Sequence, residues 1–233
     1  MSEQVAPIQT ALILRTCAAD MTSHGGFRWP DSGPVEAPDF VASMRCGHGL
    51  HGLLWGEGSV QYLDLSPDAK WLVFRAALDD IQHGEDDLRD KCKARKGVVE
   101  YCGDRDGAIA YLLTNGAVGR KVVFGTATAG YSGTATAGDS GTATAGDSGT
   151  ATAGDLGTAT AGDSGTATAG DSGTATAGVG GTIVILRWNG RRYKSCIAQV
   201  KDEDGDGTLE PNVRYRLKDA GKFVPAEAPC PNE

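Results

Sequence analysis

The chain has 233 residues, a formal net charge of −8 at pH 7, 34 glycines and six cysteines. That length leaves room for two modest domains around a repeat block, and no segment is basic enough to indicate nucleic-acid binding. No apolar run could span a membrane, and the N-terminal residues lack the charged-then-apolar pattern of a secretory signal. The cysteines lack the density of a disulfide scaffold, so we expect a reduced chain in the cytoplasm.

The first 124 residues predict a small α+β domain. Three stretches have the aliphatic composition of strands: residues 7–19, 71–76 and 98–102. Residues 104–115 place apolar side chains at helical spacing, with Asp104 at the start and Gly116 just beyond the end. We therefore expect strands followed by one helix.

A candidate site in this domain lies in the Gly-rich segment near residue 50. Cys46, His48 and His51 are side-chain types that bind zinc, and Cys17 or His24 could supply a fourth ligand. No Cys-x-x-Cys pair accompanies them, and the cluster lacks a set of nucleophile, base and orienting group. Two interpretations stay open: a small-molecule or zinc-binding module, or a buried His51 that bonds to the backbone and braces a turn.

An eight-residue repeat, Gly-Thr-Ala-Thr-Ala-Gly-Asp-Ser, occurs seven times in tandem with few changes from Gly125 to Gly180. Within each copy, Thr-Ala-Thr-Ala alternates polar and small apolar residues, which is typical of a strand with one buried face. The flanking Gly-Asp-Ser-Gly is typical of a tight turn. Because every copy runs in the same sense, the pattern predicts a short parallel β-solenoid rather than hairpins.

One octad is too short to close a coil, so we expect two octads, or 16 residues, per turn of a flattened tube. We place the Ala side chains inside, because a buried Thr hydroxyl without a partner costs roughly 1–3 kcal/mol. The Thr side chains then form ladders on two outer faces. One face carries Thr126, Thr128, Thr142, Thr144, Thr158, Thr160, Thr174 and Thr176. The other carries Thr134, Thr136, Thr150, Thr152, Thr166 and Thr168.

Two acidic patterns contain the ligand types of calcium sites. Aspartates recur at the corners of the repeat: Asp139, Asp147, Asp155, Asp163 and Asp171. Their period differs from that of calcium-binding solenoids, so we expect them to bond their own backbone. Asp202 to Asp206 matches the first half of a calcium loop, but Val213 stands where a bidentate Glu is needed. We expect a solvated turn there and no metal.

Residues 181–233 predict a β cap at the end of the tube. Residues 181–184 keep the octad register but carry larger side chains, and Asn189-Gly190 is a strong hairpin signal. Such a cap would cover an open sheet edge that otherwise invites end-to-end association. The expected strands are residues 182–188, 192–200, 213–217 and 222–224.

The motif Cys-x-x-Gly-Leu-His at residues 46–51 is followed by Lys91–Arg95, the segment Val98–Tyr101 and then the octads. In this combination the chain resembles a group of uncharacterised bacterial and phage proteins with a small N-terminal domain and octapeptide solenoid repeats. That resemblance implies the fold and no activity. The Thr-x-Thr of the octad is also similar to the repeats of bacterial ice nucleation proteins, whose coils are likewise two octads long.

The sequence therefore predicts a non-enzymatic protein in three parts: an α+β capping domain over residues 1–124, a β-solenoid over 125–180 and a β cap over 181–233. We expect a rigid spacer that self-associates into a homo-oligomer through a flat Thr-x-Thr face. One alternative is an ice- or surface-binding protein that uses the same ladders, and another is the small-molecule or zinc-binding N-terminal module. We expect no cofactor, no nucleic-acid partner and no membrane partner.

Overall fold

The computed structural model describes residues 9–218 and 221–226. The chain divides into two compact units, Met1–Val118 and Gly119–Glu233, each with its own hydrophobic core. The three-part division at residues 124 and 180 stays a prediction.

Seven strands of the first unit form one antiparallel sheet: β1 (Thr10–Cys17), β2 (Gly33–Glu36), β3 (Leu50–Leu54), β4 (Lys70–Ala77), β5 (Ile81–His83), β6 (Cys92–Ala94) and β7 (Lys96–Gly103). Their order across the sheet is β2-β7-β4-β1-β3-β6-β5. The three expected strands are confirmed as β1, β4 and β7, although residues 7 and 8 of the first stretch lie outside the described residues.

Strands β1 and β4 are covered on both sides. Leu12, Ile13, Leu72 and Phe74 are all fully buried, which explains why these strands read as continuous apolar runs rather than alternating ones. Trp29 packs against Phe74 on one side of the sheet, with ring centroids 5.4 Å apart. The core of the first unit is therefore made of large side chains.

The expected helix is α1 (Arg105–Thr114). The side chain of Asp104 caps it, because Oδ1 accepts a hydrogen bond of 2.8 Å from the Gly107 N–H. Its buried side chains are Ala108, Ile109 and Leu112, and it packs against β1, β4 and β7. Short 3₁₀ turns in this unit span His24–Gly26, Val60–Tyr62, Leu78–Asp80 and Asp86–Leu88.

The octads form seven short strands: β8 (Thr126–Ala129), β9 (Thr134–Thr136), β10 (Thr142–Ala145), β11 (Thr150–Thr152), β12 (Thr158–Thr160), β13 (Thr166–Ala169) and β14 (Thr174–Thr176). Each strand from β8 to β13 pairs in parallel with the strand 16 residues further along, so Thr126 lies opposite Thr142 and Thr134 opposite Thr150. Odd and even octads thus build two separate sheets, as expected for two octads per coil.

The Ala side chains face inward, which confirms the predicted orientation. Ala143, Ala151, Ala159 and Ala167 are fully buried and belong to one continuous core. The glycine that opens each octad allows this thin core to close: a Cβ on Gly157 would lie 2.7 Å from the Ala153 Cβ and 2.8 Å from the Gly154 carbonyl oxygen. Close packing of small residues therefore replaces large side chains in this unit.

The last residue of all seven octads adopts a left-handed backbone conformation that turns the chain at the corner. Ser148 has a φ of 56° and Leu156 a φ of 59°, and Gly180 takes the same position at 66°. The Ser148 N–H donates a 2.7 Å hydrogen bond to the carbonyl of Asp163 in the next coil. The corners are thus joined from coil to coil through the backbone, which offsets the cost of the left-handed conformation.

Four strands follow the octads: β15 (Thr182–Trp188), β16 (Tyr193–Gln199), β17 (Tyr215–Lys218) and β18 (Lys222–Pro225). β15 continues the sheet of β9, β11 and β13 in parallel, and β16 returns antiparallel beside it. β17 joins the other sheet antiparallel to β14, with Tyr215 opposite Ala175, and β18 pairs with β17. Ile183, Ile185 and Tyr215 are buried against the Ala core, so the predicted cap is confirmed.

Candidate functional site

The Thr residues of the octads stand on the outside of the two solenoid sheets. We call the outer side of β8, β10, β12 and β14 face A, and the outer side of β9, β11 and β13 face B. Within each face, Thr pairs with Thr at every step with no shift of register. All 14 predicted Thr residues are exposed or half-buried, whereas the Ala residues between them are buried or, in β8, half-buried.

The spacing of these hydroxyls is set by the backbone. Neighbouring strands in a sheet lie about 4.8 Å apart, and residues two apart on a strand are separated by about 6.5–7 Å. The side chains of adjacent rungs approach each other closely, since the Thr158 and Thr174 Oγ1 atoms are 3.2 Å apart and hydrogen-bonded. Each face is therefore a regular array of hydroxyl and methyl groups. The spacing of this array is set by the backbone of the sheet.

The two faces differ where they meet the cap. On face A, Tyr215 points inward, so its neighbour Arg216 stands on the outer side together with Lys218, and both are exposed. On face B, Val184 lies opposite Thr168, and Ile197 lies opposite Val184. Ile197 is 66 % exposed. Face A therefore ends in positive charge and face B in an aliphatic patch, a difference that the repeat sequence itself does not contain.

The corner aspartates hydrogen-bond to the neighbouring coil, and the expectation that they would bond their own backbone is wrong. The Asp155 Oδ1 accepts a 2.8 Å bond from the Asp171 N–H, and the Asp147 Oδ1 accepts one of 3.1 Å from the Asp163 N–H. The donor is the N–H of the residue 16 positions further along, which the parallel stacking of the coils places beside the carboxylate. The carboxylates thereby hold the stack together.

Tyr193 of the cap contacts one of these corners. Its hydroxyl donates a 2.6 Å hydrogen bond to the Asp155 Oδ2. This bond, partial burial, and the negative charges of Asp155, Asp139 and Asp171 raise the pKa of Tyr193 to about 12. The column of carboxylates thus creates a local negative potential, and Tyr193 joins it to the cap.

The acidic loop of the cap is an exposed turn. The Asp202 Oδ1 accepts hydrogen bonds from the N–H groups of Asp204 and Asp206, at 3.0 and 2.9 Å. The carboxylate that would open a calcium loop therefore bonds to its own loop. Across residues 9–218 and 221–226, no three His, Cys, Asp or Glu side chains are grouped closely enough to hold a metal ion.

The structure does not bring Cys46, His48 and His51 together as one ligand set. The Cys46 Sγ accepts a 3.0 Å bond from the Lys91 Nζ, and His48 pairs with Asp39 at 3.3 Å on the surface. Of the two residues considered as a fourth ligand, Cys17 is buried in β1 and His24 lies in a 3₁₀ turn. Each residue is thus held by a different partner.

His51 is held by the backbone through both ring nitrogens. Its Nδ1 lies 3.1 Å from the Gly49 carbonyl, and its Nε2 accepts a 3.3 Å bond from the Gly47 N–H. This arrangement places the proton on Nδ1. Burial and the positive charges of Lys91, Lys93 and Arg15 lower the pKa of His51 to about 4, although the bond to Gly49 acts in the opposite direction. The ring is therefore neutral at pH 7 and surrounded by cations.

Three cationic residues near His51 were not selected from the sequence. Lys93 is completely buried, and its Nζ contacts the Ser43 hydroxyl and the carbonyls of Arg45 and Gly47 at 2.8–3.3 Å. Arg15 and Lys91 line a neighbouring pocket with His51. The one sequence signal for this group of cations was Lys93, a lysine that stands between Cys92 and Ala94. In the structure all three residues are buried in the short strand β6.

Residues 11–110 match the family described as Domain of unknown function (DUF7666). The repeats are homologous to those of ice nucleation proteins. The chain is 36 % identical over 107 residues to an ice nucleation protein of Pseudomonas fluorescens, covering 46 % of this chain and 9 % of that protein. It is 38 % identical over 105 residues to one of Pseudomonas syringae, with 45 % and 9 % covered.

A third relative is an ice nucleation protein of Xanthomonas campestris pv. translucens, 37 % identical over 109 residues, with 46 % of this chain and 7 % of the relative covered. The chain thus spans less than a tenth of the length of these curated relatives. No solved structure matches the chain. The resemblance carried by the Cys-x-x-Gly-Leu-His motif at residues 46–51 stays a prediction.

The cytoplasmic location expected from the sequence is wrong, because it conflicts with the similarity to ice nucleation proteins. The expectation rested on scattered cysteines and on the first residues of the chain, and neither feature reports a compartment. In the described part of the chain, no helix combines the length and the apolar character needed to cross a membrane. The β-solenoid together with the homology of its repeats fits a structural or surface-binding role.

Proposed function

We propose that this chain is a non-enzymatic structural protein whose solenoid binds ice through face A and self-associates through face B. The observation that carries the proposal is the unbroken register of outward Thr side chains at 16-residue intervals. The relatives are ice nucleation proteins by name, and their similarity to this chain includes the repeats.

Face A is the ice-binding side in this proposal because it has four full rungs of paired Thr, from Thr126 and Thr128 to Thr174 and Thr176. Regularly spaced hydroxyls and methyls on a rigid sheet can order water at ice-like spacings. Rungs spaced about 4.8 Å apart give an array only about 14 Å long. A single chain is therefore expected to bind to ice crystals but to be a poor nucleator.

The test compares two matched double variants for incorporation into growing ice and for thermal hysteresis. Thr142→Lys with Thr158→Lys places two ammonium groups on face A, and Thr150→Lys with Thr166→Lys places the same two groups on face B. We expect the face A variant to lose ice affinity and the face B variant to keep it. If the unmodified chain shows neither ice incorporation nor hysteresis, ice binding is disproved.

Face B is the self-association side because its ladder continues into two aliphatic residues of the cap, the half-buried Val184 and the exposed Ile197. Ile197 is 66 % exposed and lies next to Val184, which in turn lies beside Thr168. Exposed apolar patches that continue a regular surface mark interaction sites in soluble proteins. Pairing through face B would leave face A of each copy open, so the two activities are compatible.

Light scattering after size exclusion tests this part. We expect the unmodified chain to form a dimer or larger assembly, and Thr150→Lys with Thr166→Lys to give a monomer, since two desolvated like charges would face each other across the interface. The face A variant serves as the control and should keep the oligomer. A monomeric unmodified chain, or an oligomer that survives the face B changes, would disprove this interface.

A further inference from the structure

A pocket in the first unit is lined by groups that attract anions. Its volume is about 140 Å³. It lies against β1 and β3 and against the loop before β6, and none of its lining residues belongs to the octads. Its lining residues are Arg15, Thr16, His51, Gly52, Tyr62 and Lys91.

Arg15 is held in a fixed orientation at one wall of this pocket. Its Nη1 donates a 3.3 Å bond to the His51 carbonyl, and its Nε donates one of 3.1 Å to the Thr16 carbonyl. The guanidinium carbon lies 4.2 Å from the centroid of the Trp29 ring. Burial lowers the pKa of Arg15 to about 10. The guanidinium is thus desolvated and preorganised, with part of its donor edge still available.

Lys91 and Lys93 add two more positive charges. The Lys91 Nζ lies 4.4 Å from the Tyr62 ring centroid and donates to the Cys46 Sγ. Lys93 is buried and fixes the loop of residues 43–47 through its three oxygen acceptors. Lys93 is therefore a positioning residue, whereas Lys91 faces the pocket.

None of these cations has a carboxylate partner in the described residues. The ion pairs in the described residues include His48–Asp39, Arg75–Glu100, Arg105–Asp106 and Lys201–Glu210, which involve other cations. Of the carboxylates on nearby loops, Asp64 accepts from the Ser66 N–H and Asp87 from the Cys46 N–H. Glu57 and Asp90 line a different pocket, to which Lys91 also contributes. Three partly or fully buried cations without a counter-charge are costly to hold, in a chain whose net charge is −8.

Burial is the largest cause of the lowered pKa of His51, and the surrounding positive charges lower that pKa further. All three charged groups that act on its ring are cations, Lys91, Lys93 and Arg15. Thr16 also lines the pocket, and its hydroxyl accepts a 2.6 Å bond from the Asp64 N–H, which leaves the hydroxyl proton available to donate. Charge and donors therefore converge on one small volume.

We propose that this pocket binds the anionic group of a small ligand, a carboxylate or a phosphate, through the Arg15 guanidinium, the Lys91 ammonium and the Thr16 hydroxyl. A volume of about 140 Å³ holds one such group and a few further atoms. The Arg15 guanidinium offers the planar, paired donors that fit either oxyanion, and the bound charge would offset the desolvation of both cations. This site is independent of the Thr faces.

The experiment titrates the full-length protein with inorganic phosphate and, separately, with succinate at constant ionic strength. Binding is followed through the ring proton resonances of His51, assigned with His51→Gln. We expect a saturable shift with at least one probe, together with a rise in the pKa of His51 as the anion compensates the surrounding cations. Saturation by phosphate alone identifies a phosphate group, and saturation by succinate alone identifies a carboxylate.

Variants at the pocket provide the comparison. Lys91→Gln should weaken binding by about tenfold or more, because a charged hydrogen bond contributes at least that much to affinity. Lys96→Gln removes an exposed lysine at the start of β7 that does not line the pocket, and it should leave binding unchanged. Arg15→Lys keeps the charge but loses the paired donors, so binding should weaken there too. If Arg15→Lys does not fold, the Lys91→Gln comparison still decides.

Two results would overturn the proposal. One is the absence of any saturable His51 shift with either probe. The other is an equal effect of Lys91→Gln and Lys96→Gln, which would mean that the anion associates with the surface charge rather than with the pocket.

Discussion

The two units of this protein bury their strands in opposite ways. In the N-terminal sheet, strands β1 and β4 are fixed by large interlocking side chains such as Leu12, Leu72 and Phe74. In the repeat unit, the core is a column of alanines, and the coils are joined by backbone bonds and by the corner aspartates. The first unit is stabilised mainly by the packing of large side chains, and the second mainly by hydrogen bonds between its coils. Because the outward side chains of the second unit are not needed for its core, they can all be Thr.

This contrast predicts where each unit is most sensitive. The largest effect is expected from Phe74→Ala, because Phe74 is fully buried beside Trp29. We expect it to lower the free energy of unfolding of the first unit by about 3–5 kcal/mol. Denaturant unfolding followed by tryptophan fluorescence measures this loss. Val98→Ala, at an exposed position of β7, is the control, and a comparable loss there would contradict the packing described.

In the repeat unit, adding volume should be the damaging change. Ala159→Leu places three more carbons between two close sheets and should cost about 1–3 kcal/mol or more. Thr160→Leu on the adjacent outward position should change stability by less than about 0.5 kcal/mol. Circular dichroism of the repeat signal during thermal unfolding distinguishes them. Equal losses would show that the inside and outside of the coil are not distinct.

The first unit should also lose stability in mild acid through His51. Its pKa in the folded chain is about 4, below the ordinary value of 6.5. The unfolded chain therefore takes up the proton first, and the contribution is complete above pH 6.5 and lost as the pH falls from 6.5 through 4. The stability of His51→Gln should vary less over that window, as measured by urea unfolding at a series of pH values. An unchanged pH dependence would contradict the burial of a neutral ring.

The smallest effect is expected at the corner contact of the cap, and in alkali. The pKa of Tyr193 is raised to about 12 in the folded chain, from an ordinary value of 10. Its hydroxyl bond to Asp155 therefore stabilises the repeat unit below pH 10 and is lost as the pH rises through 12. Thermal unfolding of Tyr193→Phe should lie below that of the parent chain at pH 8 and converge with it towards pH 12. Parallel curves over the whole range would argue against the bond.

The fold of the repeat unit could be predicted well because the eight-residue period determines the length of each strand and the pairing of strands 16 residues apart. Alternation of Thr and Ala determines which side is buried, and the close approach of Gly157 to Ala153 explains why no other side chain fits between turns. The corner aspartates were harder, because the donor that meets Asp155 belongs to the next coil and is found only when the register is known. Asn189 predicted the hairpin of the cap, and in the structure its side-chain oxygen accepts hydrogen bonds from the N–H groups of Arg191 and Arg192.

The cationic pocket could not be predicted for a similar reason. Arg15 belongs to β1, His51 to β3, and Lys91 immediately precedes β6. These strands are neighbours in the sheet but are separated by long stretches of sequence, and no local pattern specifies the order β1-β3-β6. The zinc-like residue types at 46–51 drew attention to the loop beside this pocket, where Cys46, His48 and His51 have separate partners.

The central claim is that threonines face outward and alanines inward along every coil, and thiol labelling tests it most directly. Trypsin releases residues 122–187 as one peptide without a native cysteine, so a single introduced thiol can be followed alone. We predict that Thr160→Cys reacts with maleimide at the rate of an exposed thiol, while Ala159→Cys stays protected until the repeat unit unfolds. Equal rates at the two positions, or faster labelling at 159, would contradict the account.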